Sequence, residues 1–343
     1  MDTITIKDVA RMCGVGVTTV SRAINNHPDI SEATKVMILQ VIKENHYVPN
    51  NSARNLKRSA SKTIAVLIKG ITNPFFNRML QVFEKETKRR KYSYILQRVD
   101  ENQDEIDVAI ELEKEKRLKG IIFLGGYFSH AKEKLDQLTV PFVLSTIGMT
   151  AEVGENHYSS VSVDDFKESY KMVEYLCSLG HRKIAIISAN MEDESIGKLR
   201  YEGYRKALED QGIDFQQSLV RCMKENIETY TMENGYVVTQ ELLQSEEEFT
   251  AIFAISDSLA VGACKAIIES GKSVPGDYSV AGFDGLDIAF YYSPSITTIR
   301  QPVEEIAEET ITILFDLIQK RTTQAHKIFP AELMVRESTR SIL

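Results

Sequence analysis

The sequence predicts an N-terminal all-α helix-turn-helix head followed by an α/β body of two doubly wound parallel-sheet lobes. Three observations carry this expectation. Within residues 6–25 a Gly-rich break separates two short amphipathic helices. From residue 63 onward, continuous apolar runs alternate with segments of helical period. The charge is also divided. Residues 1–62 carry nine Lys/Arg against five Asp/Glu, a net of +4, within a chain whose total is −8, so the remainder is strongly acidic. A small basic module on an acidic body suits a nucleic-acid binder whose body keeps DNA at a distance.

At 343 residues the chain is long for one domain and suggests two or three. With 43% hydrophobic residues it can build large cores, which excludes wholesale disorder. The four cysteines, at 13, 177, 222 and 264, form no C-x-x-C pair, and no histidine cluster has metal-ligand spacing. They read as reduced core residues, with no metal expected. No apolar leader opens the chain and no run approaches membrane-spanning length, so a cytoplasmic protein with no membrane partner is expected.

In the head, Val9, Ala10 and Cys13 fall at i, i+1 and i+4, one stripe of a short helix. Gly14-Val15-Gly16 makes a tight turn. In the second helix Val20 and Ile24 turn inward, leaving Thr18, Thr19, Ser21, Arg22 and Asn25 outward. Small hydroxyls, a guanidinium and an amide are what base edges in a major groove require. An ordinary helical hairpin with a solvated face is the alternative. A third helix over 31–47 opens at Ser31, a cap, and offers Ile38, Val41 and Ile42 to the core; Pro49 stops it. The head therefore spans 1–49.

Residues 50–62, NNSARNLKRSASK, are polar and basic. They read as a bare linker, or as a short hinge helix with Ala53 and Leu56 on one face and Arg54, Lys57 and Arg58 around it. A lone Leu among cations suits a minor-groove wedge.

The strings IKDVARMCGVGVTTVSRAINN, DISEATK and HYVPNNSARNLKR together resemble the DNA-binding head and hinge of the LacI/GalR family of bacterial transcription regulators. The resemblance implies that the second helix enters the major groove of a pseudo-palindromic double-stranded operator. It further implies that hinge helices of a homodimer pair in the minor groove around an inserted leucine. The DNA-binding set is then Val17, Thr18, Thr19, Ser21, Arg22, Asn25, Tyr47, Ala53, Leu56 and Lys57. Gly16 departs from the family's usual Ser or Thr, which removes one hydroxyl contact to phosphate.

The body, 63–343, begins with strand 63–69, a helix over 74–91, strand 92–98, a helix over 104–118, and strands 120–125 and 141–145. A second series opens with SSVSV, then a helix over 166–179, strand 183–188, helices over 199–211 and 232–243, strand 250–255, a helix over 259–270 and strand 278–284. Two consecutive βαβ series mean two lobes, each with a parallel sheet. The charge runs KETKRRK and EKEKRLK read as solvated helix faces.

Between two such lobes a cleft lies at the carboxyl ends of the strands. The residues there are Asn73, Phe75 and Phe76, then Arg200, Tyr230, Ser256 and Asp284. Aromatic faces beside an Arg and an Asp suit a polyol or sugar ring; each aromatic alone suits core packing better, and their coincidence at strand ends shifts the balance. The strings RYEGYRKAL, ISDSLAVGA and VAGFDGLDIAFYYSPSITTIRQP resemble the same family's effector-domain segments. The resemblance implies a body built like periplasmic sugar-binding proteins, with the effector between the lobes and the hinge responding to it. It adds Thr146, which stands where many members carry Asp; Glu194 stands where purine-responsive members carry Arg, a departure that argues against a purine effector.

A cytosolic enzyme and a free sugar-binding protein are the competing readings. The chain has no G-x-G-x-x-G after a strand, no G-x-x-x-x-G-K-[ST] and no G-x-S-x-G, so neither catalysis nor a cofactor is expected. The basic head opposes a free binding protein. The family's tetramers need a C-terminal heptad helix; the final RESTRSIL is not one, hence the expected dimer. Whether the effector releases or strengthens operator binding depends on which lobe orientation it prefers.

Overall fold

The computed structural model describes residues 5–24, 27, 29–45, 62–100, 103–126, 132–148, 158–190 and 195–343. The chain divides into two compact units, Met1–Ala60 and Ser61–Leu343.

In the head, Thr5 starts α1 (Ile6–Met12) by donating its N–H and hydroxyl to the Asp8 carboxylate, at 3.0 and 2.6 Å. The turn after α1 needs Gly14, whose φ is +64°. The Gly16 carbonyl accepts the Thr19 and Val20 N–H groups in the first turn of α2 (Val17–Ile24). Ser31 Oγ accepts the Thr34 N–H at the start of α3 (Glu32–Glu44). Val9, Ala10, Val20, Ala23 and Ile38 form the buried centre. Cys13, Ile24, Val41 and Ile42 pack around it half-buried, and Ala23 takes the central place the sequence reading gave to Ile24. Full burial of Val20 alone is worth about 1.5–3 kcal/mol.

The first sheet of the body runs β11-β5-β4-β3-β1-β2 and is wholly parallel. Its strands are β1 (Thr63–Lys69), β2 (Ser93–Val99), β3 (Gly120–Leu124), β4 (Phe142–Ser145), β5 (Ser159–Val163) and β11 (His326–Phe329). Residue parity assigns the faces, as a period of two requires. Ile64, Val66, Ile68 and Ile122 meet α4 (Phe76–Arg89) and α12 (Val303–Ile318). Ala65, Leu67, Ile121 and Phe123 meet α5 (Glu105–Lys116). A short α6 (Lys132–Leu135) follows β3.

The second sheet runs β12-β10-β9-β8-β6-β7 and is parallel except for the pairing of β12 with β10. Its strands are β6 (Ile184–Ser188), β7 (Val220–Cys222), β8 (Ala251–Ala254), β9 (Ser279–Asp284), β10 (Thr297–Arg300) and β12 (Glu332–Met334). Around it lie α7 (Asp165–Ser178), α8 (Ile196–Asp210), α9 (Met232–Gln244), α10 (Asp257–Glu269) and α11 (Asp287–Tyr291). Helices α9 and α10 approach so closely that a Cβ on Gly262 would stand 2.0 Å from the Met232 carbonyl oxygen.

The two-series reading needs one correction. SSVSV does not open the second sheet; it is β5, paired with β4 and β11 in the first. The chain changes lobes after β5, returns after β10 so that α12 and β11 complete the first lobe, and changes again for β12. Sequential counting of βαβ units misses such returns, because a strand's pattern shows that it is buried without showing which sheet it joins.

Candidate functional site

The head presents α2. With Val20 and Ala23 buried, Val17, Thr18 and Arg22 are exposed and Thr19 and Ser21 half-exposed. Asn25, Tyr47, Ala53, Leu56 and Lys57 lie outside the described residues, as does Glu194.

In the body, the strand ends of both sheets surround a cavity of about 430 Å³. Asn73, Phe75, Phe76, Thr146, Arg200, Tyr230 and Asp284 all line it. Ser256 does not: its hydroxyl accepts the Leu259 N–H and caps α10, and the residue is buried. Local chemistry fixes the others. The Asn73 carboxamide oxygen accepts the Phe75 N–H at 3.0 Å, a tight turn that sets Phe75 and Phe76 edge-to-face, centroids 5.5 Å apart, at the start of α4.

Arg200, one turn into α8, is only 2% exposed. Its Nε donates to Asp165 at 2.8 Å, Nη1 donates to the Ile255 carbonyl, and the guanidinium lies 3.7 Å from the Phe283 ring centre. Asp284 ends β9; its Oδ1 accepts from the Gln301 amide at 2.9 Å and, at 3.5 Å, from Arg200. Burial pushes the Asp284 carboxyl up to about 7, with Asp165 adding to the rise and Arg200 and Gln301 opposing it. Burial likewise raises Asp257, to about 8, although Thr298 and the Leu286 N–H both donate to it. The other cationic lining residue, Lys69, is also neutralised, donating to Glu105 at 3.4 Å and to the Gln103 carbonyl at 3.0 Å.

Three non-glycine residues on the cavity wall hold positive φ: Thr146 at +71°, Tyr230 at +55° and Asp284 at +114°. Such backbones cost about 1–3 kcal/mol each and gather at functional sites. Thr146 Oγ1, Ser195 Oγ and Asp284 Oδ2 are among the side-chain oxygens of the described residues that are buried without a hydrogen-bond partner. All three residues border this cavity. Leaving such an atom unpaired costs about 1–3 kcal/mol, so the wall is built to receive hydrogen bonds. Sequence reasoning missed Asp165, Ser195 and Gln301. Asp165 follows β5 and Gln301 follows β10, so strand ends would have pointed to both had those strands been assigned to their sheets. Among the described residues no His/Cys/Asp/Glu group has the make-up of a metal site, and no helix is long and apolar enough to cross a membrane.

Residues 5–50 match the model of bacterial regulatory proteins of the lacI family, and residues 173–339 match that of the periplasmic binding protein-like domain. Over 97% of this chain and 98% of its own length, the HTH-type transcriptional regulator MalR of Clostridium butyricum is 41% identical. The chain belongs to the lacI family. It is a transcription regulator with a DNA-binding helix-turn-helix head and an effector-binding body, and its relatives carry regulator names, not enzyme names. A LacI family regulator from Enterococcus faecium with bound ribose is 31% identical, with a TM-score of 0.70 over 82% of this chain and all of that one. The regulator CelR in complex with cellobiose is 28% identical, with a TM-score of 0.71 over 98% of this chain and 99% of that one. This lacI-family chain thus carries both a helix-turn-helix head and a polar cleft, and the competing enzyme reading accounts for only the second.

Proposed function

We propose that the protein is a cytoplasmic repressor that binds a pseudo-palindromic double-stranded operator as a homodimer and is switched by a neutral sugar bound between its lobes. In this reading α2 supplies Val17, Thr18, Thr19, Ser21 and Arg22 to the major groove, and residues 50–62 form the hinge, with Leu56 as its wedge. Asn25, Tyr47, Ala53 and Lys57 complete the DNA-binding set. Asn73, Phe75, Phe76, Thr146, Arg200, Tyr230 and Asp284 hold the sugar.

The observation that carries the effector assignment is the wall of buried, partnerless Thr146, Ser195 and Asp284 oxygens around one cavity beside the Phe75 ring. Hydroxyl groups pair with all three, and an apolar ring face covers a sugar's C–H edge. Both lining cations already have carboxylate partners, which favours a neutral ligand over an anion. The ribose and cellobiose bound to the two related regulators agree with this chemistry.

The test is an operator mobility shift with and without sugars. A sugar should change operator affinity without being consumed. Arg200→Ala and Asp284→Ala should still bind operator and lose that response, since each removes a polar partner worth about 1–3 kcal/mol. An intact response in both variants would reject the cleft as the effector site.

A further inference from the structure

The cleft does not end at the cavity just described. A second cavity of about 420 Å³ adjoins it, and Gly70 and Glu225 line both. The topology explains the pair. The inner chamber lies chiefly against the ends of β1, β3 and β4 in one lobe and β6 and β9 in the other. The outer chamber lies against the ends of β2 and β7, the edge strands of the two sheets. Its walls come from both lobes: Thr72, Arg98 and Asp100 from the first, Glu225, Ile227 and Glu228 from the second.

A hexose ring, its van der Waals volume divided by the packing density of interiors, takes roughly 200 Å³. One ring therefore fills less than half of the inner chamber alone. The two chambers also differ in chemistry. The inner one holds the aromatic pair together with buried Thr146, Arg200, Asp284 and Gln301, whereas Thr72, Arg98, Asp100, Glu225 and Glu228 are exposed. An extended ligand would thus be gripped at one end and bordered by solvated polar groups at the other. The outer walls carry three carboxylates against one guanidinium, and Arg98 is already engaged with Asp100 at 3.2 Å. An anionic extension would meet net repulsion there.

Resting on the effector reading above, we propose that the ligand is a neutral oligosaccharide of two or more rings. One ring lies in the inner chamber between Phe75 and Asp284. The next passes Gly70 and Glu225 into the outer chamber, where Thr72, Glu225 and Glu228 select for length and against charge.

The experiment is isothermal titration of the full-length protein with matched mono- and disaccharides: glucose with maltose, cellobiose and trehalose, and galactose with lactose and melibiose. Ribose and a phosphorylated form of the tightest disaccharide complete the panel. At least one disaccharide should bind ten-fold or more tightly than its component monosaccharides, and its phosphorylated form ten-fold or more weakly. Thr72→Trp, at an exposed loop position that folding tolerates, should bring the disaccharide-to-monosaccharide ratio close to one. A monosaccharide binding as tightly as every disaccharide containing it would overturn this inference while leaving the sugar-effector reading intact. A preference that survives Thr72→Trp would overturn the role of the outer chamber, and equal binding of the phosphorylated sugar would overturn the selection against charge. No binding across the panel would defeat the sugar reading itself, and this inference with it.

Discussion

Replacing Asp284 by Asn should make the body more stable, and the gain should grow with pH. The carboxyl is buried and pushed up to about 7 from an ordinary value of 3.8. Between those values the folded chain keeps a proton that the unfolded chain has lost, so the residue's contribution to stability falls as pH rises through that window. Two-state titration between these values gives a cost on the order of 2 kcal/mol at pH 5 and 4 kcal/mol at pH 8. Asn never ionises, and one orientation of its amide still accepts from Gln301. The stability difference between variant and parent should therefore widen by about 2–3 kcal/mol between the two pH values. Urea unfolding at pH 5 and pH 8 measures it, followed by near-UV circular dichroism of tyrosine. All but one of the fourteen tyrosines lie beyond residue 60, so the signal reports the body. A difference that stays constant with pH would refute the reasoning and mean that Arg200 keeps Asp284 ionised throughout.

The same carboxyl sets the pH dependence of effector binding. A ligand hydroxyl donating to Asp284 Oδ2 bonds more strongly to the carboxylate than to the neutral carboxyl, so affinity should rise from pH 6 to pH 8 and stay flat in Asp284→Asn; titration calorimetry showing a fall with pH would reverse the donor assignment. In the head, Arg22→Ala should relax base preference at one position of each half-site by about 1–3 kcal/mol, read by in vitro selection. An unchanged selected motif would make Arg22 a phosphate contact. Gly262→Ala should destabilise the body by about 1–3 kcal/mol or more, because its Cβ would meet the Met232 carbonyl and the Tyr236 nitrogen, neither of which is a side chain that can turn aside. An unshifted melting temperature would mean that α9 and α10 separate easily.

The head was legible because its core is local: Val9, Val20 and Ile38 announce three helices by spacing alone. Strands such as TIAVLIK were legible because burial on both faces leaves a continuous apolar run. Partnership between distant segments was not. Nothing local in SSVSV says that it pairs with β4, and α12 looks like any amphipathic helix until it is seen closing the first lobe beside α4. The same blindness hid part of the cleft. Arg200 and Asp284 stood out as charges at strand ends. Asp165 and Gln301, which hold them, sit at two of the places where the chain changes lobes. Ser256 occupied a strand end too, but its hydroxyl is spent on capping α10.

Those changes of lobe also bear on how the protein is made. The first sheet begins with β1 at Thr63 and closes only with β11, at His326–Phe329. At about 5–20 residues per second, a ribosome takes roughly 15–50 seconds to deliver the intervening chain. From its synthesis to the end of that interval β5 has an open edge, and the sheet face that α12 will cover is bare. Neither lobe can finish folding as an independent early unit. Nascent chains stalled before residue 326 should therefore bind trigger-type chaperones and resist release, whereas stalling within the second lobe's earlier helices should make little further difference.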